Sequence, residues 1–256
     1  MSTSRRPLIA GNWKMNGSRA DARRWTEAAR EAAAGTDNEV ALFPPYPWLT
    51  EVATLLDAPD GAVGLGAQAC HTEPYGAFTG AVSAAMCREA GCRYVLCGHS
   101  ERRHVMGESD EVVVTTMRRS LEEGLVPVLC VGETLEERRA LQARGVVLRQ
   151  LDAGLEALPG PDAPLVVAYE PVWAIGTGLT ASPEEASEAH GWVRARVAEV
   201  DETRARGLRI LYGGSVKPGN IGGLLAAPDV DGALVGGAAL DPRAFAEIIV
   251  ATPDRE

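Results

Sequence analysis

The sequence predicts an α/β fold, a (β/α)8 barrel, from three observations. Eight short β-rich apolar runs are present, eight helical patterns alternate with them, and the length of 256 residues suits such a barrel. An open, doubly wound sheet is the alternative architecture for the same alternation. No Pro/Ser-rich linker divides the chain, so residues 1–256 read as one domain.

The strand candidates are Pro7–Ala10, Val40–Phe43, Val63–Gly66, Tyr94–Cys97, Val126–Val131, Leu165–Tyr169, Leu208–Tyr212 and Gly232–Val235. Helical patterns cover Ala20–Ala34, Trp48–Leu56, Ser83–Ala90, Asp110–Glu123, Leu135–Leu158, Pro183–Glu202, Ile221–Ala226 and Pro242–Val250. Gly35, Gly91, Gly124 and Gly207 stand where helix-terminating glycines belong. Ser182, Pro183 and Glu185 supply an N-cap, a first-turn proline and a capping-box partner.

Composition excludes several classes of function. A hydrophobic content of 46% with 23% charged residues is globular. No apolar run approaches the roughly 20 residues that span a bilayer, so no membrane partner is expected. The four apolar residues after Arg5 and Arg6 are too short for a signal-peptide core, and a cytoplasmic location is expected. Net charge is −10 without a dense Lys/Arg tract, which argues against nucleic acid as a partner. Cys70, Cys87, Cys92, Cys97 and Cys130 are an odd number with no CxxC pair, so buried free thiols are expected. The four histidines lack ligand spacing and no GxGxxG or Walker motif occurs; no metal and no cofactor is expected.

In a barrel, residues at the carboxyl ends of the strands converge on one face. Those ends carry Asn12 and Lys14, Gln68, His99 to Glu101, Glu170, Gly213 to Ser215, and Gly236 with Gly237. Glu170 ends a buried strand and is held extended by Pro171, and Gly176, Thr177 and Gly178 follow as a lid tip. A carboxylate so placed suits a general base that is then shielded from water. Lys14 would supply local positive charge for a phosphate or a developing oxyanion. A helix starting near Ser100 would disfavour an imidazolium at His99 and keep the ring neutral, ready to donate to a carbonyl. Glu101 is then a candidate partner for Lys14 or a first-turn helix acid. The turns Gly213-Gly214-Ser215 and Gly236-Gly237 each precede a short helix, a place where backbone N–H groups can hold an anion. The inventory suits proton transfer on a small anion.

The motifs GNWKMN (11–16), GAFTG (76–80), GHSERR (98–103), CVGETLEER (130–138), AYEPVWAIGTG (168–178), YGGSVKPGN (212–220) and DGALVGGA (231–238) resemble those of the triosephosphate isomerase family, in order and across nearly the whole chain. The resemblance implies a TIM barrel in which Glu170 removes the proton next to the substrate carbonyl. His99 would polarise the carbonyl oxygen, Lys14 would supply charge, and Asn12 would orient Lys14 and the substrate. It implies a phosphate held by backbone N–H groups of Gly176, Ser215, Gly236 and Gly237, Gly176 joining when the lid shuts. It also implies a homodimer in which Thr79 reaches towards the partner's site, and a place in glycolysis and gluconeogenesis.

Four positions depart from the family pattern. Ala69 and Ala81 stand where asparagine and glutamate are usual, the latter in the loop that docks on the other subunit. Thr116 and Leu179 each stand where lysine is frequent, Leu179 at the far hinge of the lid. The departures suggest a divergent or second copy of the enzyme. Two other functions stay open at this point: a paralogue isomerising a four-carbon ketose phosphate, and a non-catalytic phosphate-binding protein on the same fold.

Overall fold

A computed structural model describes residues 5–56, 61–175 and 180–253. Its strands are β1 (Leu8–Asn12), β2 (Glu39–Phe43), β3 (Val63–Ala67), β4 (Tyr94–Cys97), β5 (Val126–Val131), β6 (Val166–Tyr169), β7 (Arg209–Tyr212) and β8 (Gly232–Val235). All pair in parallel with their sequence neighbours, and β8 returns to β1 with Leu8 opposite Gly232. The closed barrel rules out the open sheet.

The helices are α1 (Arg19–Ala33), α2 (Leu49–Leu56), α3 (Ala84–Glu89), α4 (Ser100–His104), α5 (Asp110–Glu122), α6 (Leu135–Arg139), α7 (Ala143–Leu155), α8 (Pro183–Val200), α9 (Glu202–Gly207), α10 (Pro218–Ala226) and α11 (Pro242–Ala251). None among the described residues is long and apolar enough to cross a membrane.

Alternation along the strands builds two apolar layers. Leu8 and Ala10, Ala41 and Phe43, Val128 and Cys130, and Val166 and Ala168 pack together within the barrel. Their neighbours Ile9, Val40, Leu42, Leu129 and Val167 belong to a second cluster shared with the helices, among them Trp25, Met117, Val193 and Ile248. This is the period-2 geometry of strands buried on both faces. At the amino-terminal end of the barrel, Arg209 lies 2.5 Å from Glu39 and the Tyr94 hydroxyl donates to the same carboxylate. That pairing offsets the cost of burying Glu39 at the end opposite the site. All five cysteines are buried free thiols.

The structure corrects several element limits. β1 runs two residues past Ala10, because Leu8–Asn12 pairs without a break along β2. The helix expected over Leu135–Leu158 is two helices, because Leu141 takes a left-handed φ of 59° between α6 and α7. The helix expected to reach Glu202 ends at Val200, where Asp201 turns extended and caps α9. Helix α10 begins at Pro218 rather than Ile221, since proline is pre-set for a first turn. Gly91 and Gly124 are left-handed helix stops as expected. Gly207 instead closes α9 as its last residue, and Gly35 follows a right-handed cap at Ala34.

Candidate active site

Extension of β1 to Asn12 sets the first part of the site. Lys14 follows at φ 52°, a left-handed conformation that costs a non-glycine residue about 1–2 kcal/mol. Two hydrogen bonds hold it there, and a third ties one of its partners to β2. Asn12 Oδ1 accepts the Lys14 N–H at 3.0 Å, while Gln68 Nε2 donates to the carbonyls of Lys14 and Phe43, each at 2.8 Å. The strained backbone aims the Lys14 ammonium at Glu101, with Nζ 2.6 Å from Oε1. A Cβ built on Gly236 would lie 3.9 Å from that ammonium, so the turn after β8 stands beside it.

Past β4, His99 is the N-cap of α4, and its Nδ1 accepts the backbone N–H of Glu101 at 3.3 Å. An acceptor at Nδ1 leaves the ring proton on Nε2. Nε2 faces Glu170 Oε1 at 3.0 Å, and the other carboxylate oxygen accepts the Ser100 N–H at 2.9 Å. Glu170 follows β6 and is only 2% exposed. Gly213, after β7, packs so closely that a Cβ there would come within 2.7 Å of Glu170 Cγ.

Burial alone would raise the pKa of Glu170. The His99 ring, the Ser100 N–H and the Lys14 ammonium together hold it below the usual carboxylate range. Burial likewise disfavours a charged His99, but the Glu170 carboxylate outweighs it and lifts the ring above the ordinary histidine value. The Glu101 N–H on Nδ1, at the start of α4, favours the neutral ring as expected. The Glu170 carboxylate on the opposite nitrogen adds an influence in the other direction that the sequence does not show.

Asn12, Lys14, His99, Glu170, Ser215, Gly236 and Gly237 line one cavity of about 600 Å³. A Cβ on Gly237 would meet nothing within 4 Å, so this turn fronts open space. Ser100 and Glu101 support from behind, through the bonds to Glu170 and Lys14. Gly176 and Leu179 lie outside the described residues. The cavity brings a proton acceptor, a ring N–H, an ammonium and two backbone turns to one small volume, which is what proton transfer on a phosphorylated carbonyl compound needs.

Three supporting residues carry no role in the sequence reading. Gln68 is noted there only as a strand-end residue, yet it fixes the Lys14 backbone. Gln150, on α7, bonds both ways to Gly132, accepting its N–H at 2.7 Å and donating to its carbonyl at 3.3 Å. Glu133 is fully buried and accepts from the Tyr169 hydroxyl (3.1 Å), Trp173 Nε1 (2.9 Å) and Arg138 (3.0 Å). It thereby anchors the segment that leaves Glu170. Nothing in a lone acid ahead of a helix separates it from an ordinary first-turn residue.

Comparison with known proteins adds a second line of evidence. Residues 7–252 match the family model described as triosephosphate isomerase. The chain belongs to the triosephosphate isomerase family. It is similar to the triosephosphate isomerase of Symbiobacterium thermophilum, 52% identical over 254 residues that cover 98% of each chain. It also resembles those of Dechloromonas aromatica (52% identical, 92% of this chain and 94% of that one) and Halorhodospira halophila (52%, 95% and 97%). Of the departures from the triosephosphate isomerase pattern, Ala69 is buried, and its carbonyl accepts the Tyr46 hydroxyl at 2.8 Å. Ala81 is an exposed residue whose N–H returns to the Phe78 carbonyl.

Proposed function

We propose that this protein interconverts dihydroxyacetone phosphate and D-glyceraldehyde 3-phosphate by proton transfer through an enediolate, as one domain that works without a cofactor. The observation that carries the reading is the convergence of Glu170, His99 and Lys14 on a single cavity fronted by the Gly236–Gly237 turn.

Glu170 rests on Ser100 N–H and His99 Nε2, and must leave both to reach a substrate carbon. Its carboxylate takes the proton from the carbon beside the carbonyl, and the electron pair of that C–H bond moves towards the carbonyl oxygen. His99 Nε2–H, released from Glu170, donates to that oxygen. With the carboxylate gone, burial is the main remaining influence on the ring and favours its neutral form. Lys14 offsets the negative charge of the enediolate, oriented by Asn12. His99 gives its Nε2 proton to the former carbonyl oxygen and takes the hydroxyl proton from the adjacent oxygen, while Glu170 returns its proton to the neighbouring carbon, so that the second oxygen becomes the new carbonyl. The phosphate rests on the N–H groups of Ser215, Gly236 and Gly237, and of Gly176 once the lid shuts, which keeps water from the intermediate.

Five buried free thiols suit the reducing cytoplasm. A homodimer fits the apolar side chains left exposed around the site and in the loop after β3: Met15 (93% exposed), Tyr75 (85%) and Phe78 (44%). Sedimentation should give about twice the 27.0 kDa chain mass, and an active species at the chain mass would count against the dimer.

A coupled assay with triose and tetrulose phosphates tests the reading. We expect the higher kcat/KM for the triose phosphates. A higher value for the tetrulose phosphate would transfer the assignment to a four-carbon substrate, and turnover of neither would leave only phosphate binding.

Ser100→Pro separates the backbone donor from the side chain. Ser100 is the first residue of α4, where proline is tolerated, and His99 at φ −49° and ψ 143° is compatible with a following proline. The substitution removes an N–H that lowers the Glu170 pKa, so the acid limb of kcat/KM should move to higher pH. Ser100→Ala keeps the N–H and should leave the limb in place. Identical profiles for the two variants would remove this bond from the account.

A further inference from the structure

We infer that Lys217 is a second phosphate-recognising cation of this site, one that draws the dianionic substrate in and steadies its phosphate. The inference rests on the isomerase reading for its substrate and on the structure for its place. The chain has only two lysines, Lys14 and Lys217, against 23 arginines, and both lysines line the same cavity. Lys217 is exposed as well, so it stands at the rim rather than the floor.

Its charge is the one left uncommitted there. Lys14 is held 2.6 Å from Glu101, and His99 faces Glu170. Among the described residues Lys217 forms no ion pair. A substrate carrying a dianionic phosphate approaches a protein of net charge −10, and an unpaired cation at the mouth offsets that repulsion locally.

The backbone under Lys217 is fixed. Asn220 Oδ1 accepts the Lys217 N–H at 2.8 Å, and Asn220 Nδ2 donates to the Ser215 carbonyl at 3.0 Å. This clip joins the rim lysine to the same turn that offers the Ser215 N–H. The side chain remains free on its four-carbon stem. An ammonium attracts phosphate as a compact, strongly hydrated point charge, whereas an arginine fork would grip it through paired bonds. Fast release of product favours the looser contact.

The test compares Lys217→Gln and Lys217→Arg with the wild-type protein, after circular dichroism confirms that each folds. For Lys217→Gln we expect KM for glyceraldehyde 3-phosphate to rise, and kcat/KM to fall, about fivefold at low salt, the scale of one screened charge pair. The decline of kcat/KM with added salt should be shallower than in the wild type. Lys217→Arg keeps the charge and should restore most of the loss. A Lys217→Gln enzyme equal to wild type in KM and salt dependence overturns the inference, as does an equal loss in both variants.

Inorganic phosphate binding supplies a readout independent of turnover. Calorimetry should show about fivefold weaker binding to Lys217→Gln than to wild type. Equal affinities overturn the inference whether or not the protein isomerises trioses. Weaker binding by the variant in a protein inactive on trioses would sustain the phosphate contact while the isomerase reading falls.

Discussion

Replacing Glu170 with glutamine is expected to lower kcat by about a thousandfold, within the range that a positioned general base contributes. Glutamine matches the shape of the carboxylate and retains an oxygen for the Ser100 N–H, so the barrel should fold around it. What it loses is the ability to take a proton. No second carboxylate stands in reserve, because Glu170 is the only acidic residue among the described residues lining the cavity. Glu170→Asp keeps the charge but retracts it by roughly 1 Å, enough to cost about a hundredfold. Both losses should fall mainly on kcat, since the phosphate contacts are untouched. Undiminished turnover by Glu170→Asp would mean that another group is the base.

The second large effect is expected at a residue with no side chain. A Cβ on Gly132 would lie 1.8 Å from the carbonyl oxygen of Glu170 and 2.6 Å from its carbonyl carbon. These are backbone atoms, and no change of rotamer relieves the clash. The strand ends cannot part freely, because the Glu170 N–H donates to the Val131 carbonyl at 2.8 Å and Gln150 grips Gly132 on both sides. Gly132→Ala should therefore cost about 3 kcal/mol or more, the upper end for overpacking. For a chain of this size that lowers Tm by roughly 6–12 °C. The folded fraction should also lose about a hundredfold in kcat, because a shift near 1 Å at Glu170 spoils its alignment. Gly191→Ala is the control: it lies inside α8 with nothing within 4 Å, and should stabilise by about 0.5–1 kcal/mol. Normal stability and activity in Gly132→Ala would show that the β5 and β6 ends move apart at little cost.

The strands were legible because buried β-rich runs of four to six residues stand between glycine and proline stops, and most limits agree within one residue. The breaks at Leu141 and Asp201 were not. Ala140, Leu141 and Gln142 all favour helix, yet Leu141 is left-handed and the helix that follows it packs against α5 and α8. Asp201 reads equally as a helix residue or a cap. The site was legible as an inventory, since barrel closure brings all strand ends to one face. Its contacts were not: His99 and Glu170 are 71 positions apart, and their direct pairing depends on how β4 and β6 flank β5. That pairing adds an influence on the histidine that opposes the helix start. Glu133 and Gln150 are further cases, ordinary polar residues in sequence that become buried supports only when the barrel shuts.

Glu170 is expected to move a proton between two adjacent carbons of a triose phosphate. Isomerisation of glyceraldehyde 3-phosphate in deuterium oxide, followed by proton NMR, tests it most directly. The wild type should form dihydroxyacetone phosphate rapidly, with solvent deuterium entering the carbon that gains the proton, and Glu170→Gln should lose both conversion and exchange. Conversion and deuterium entry persisting at wild-type rates in Glu170→Gln would contradict it.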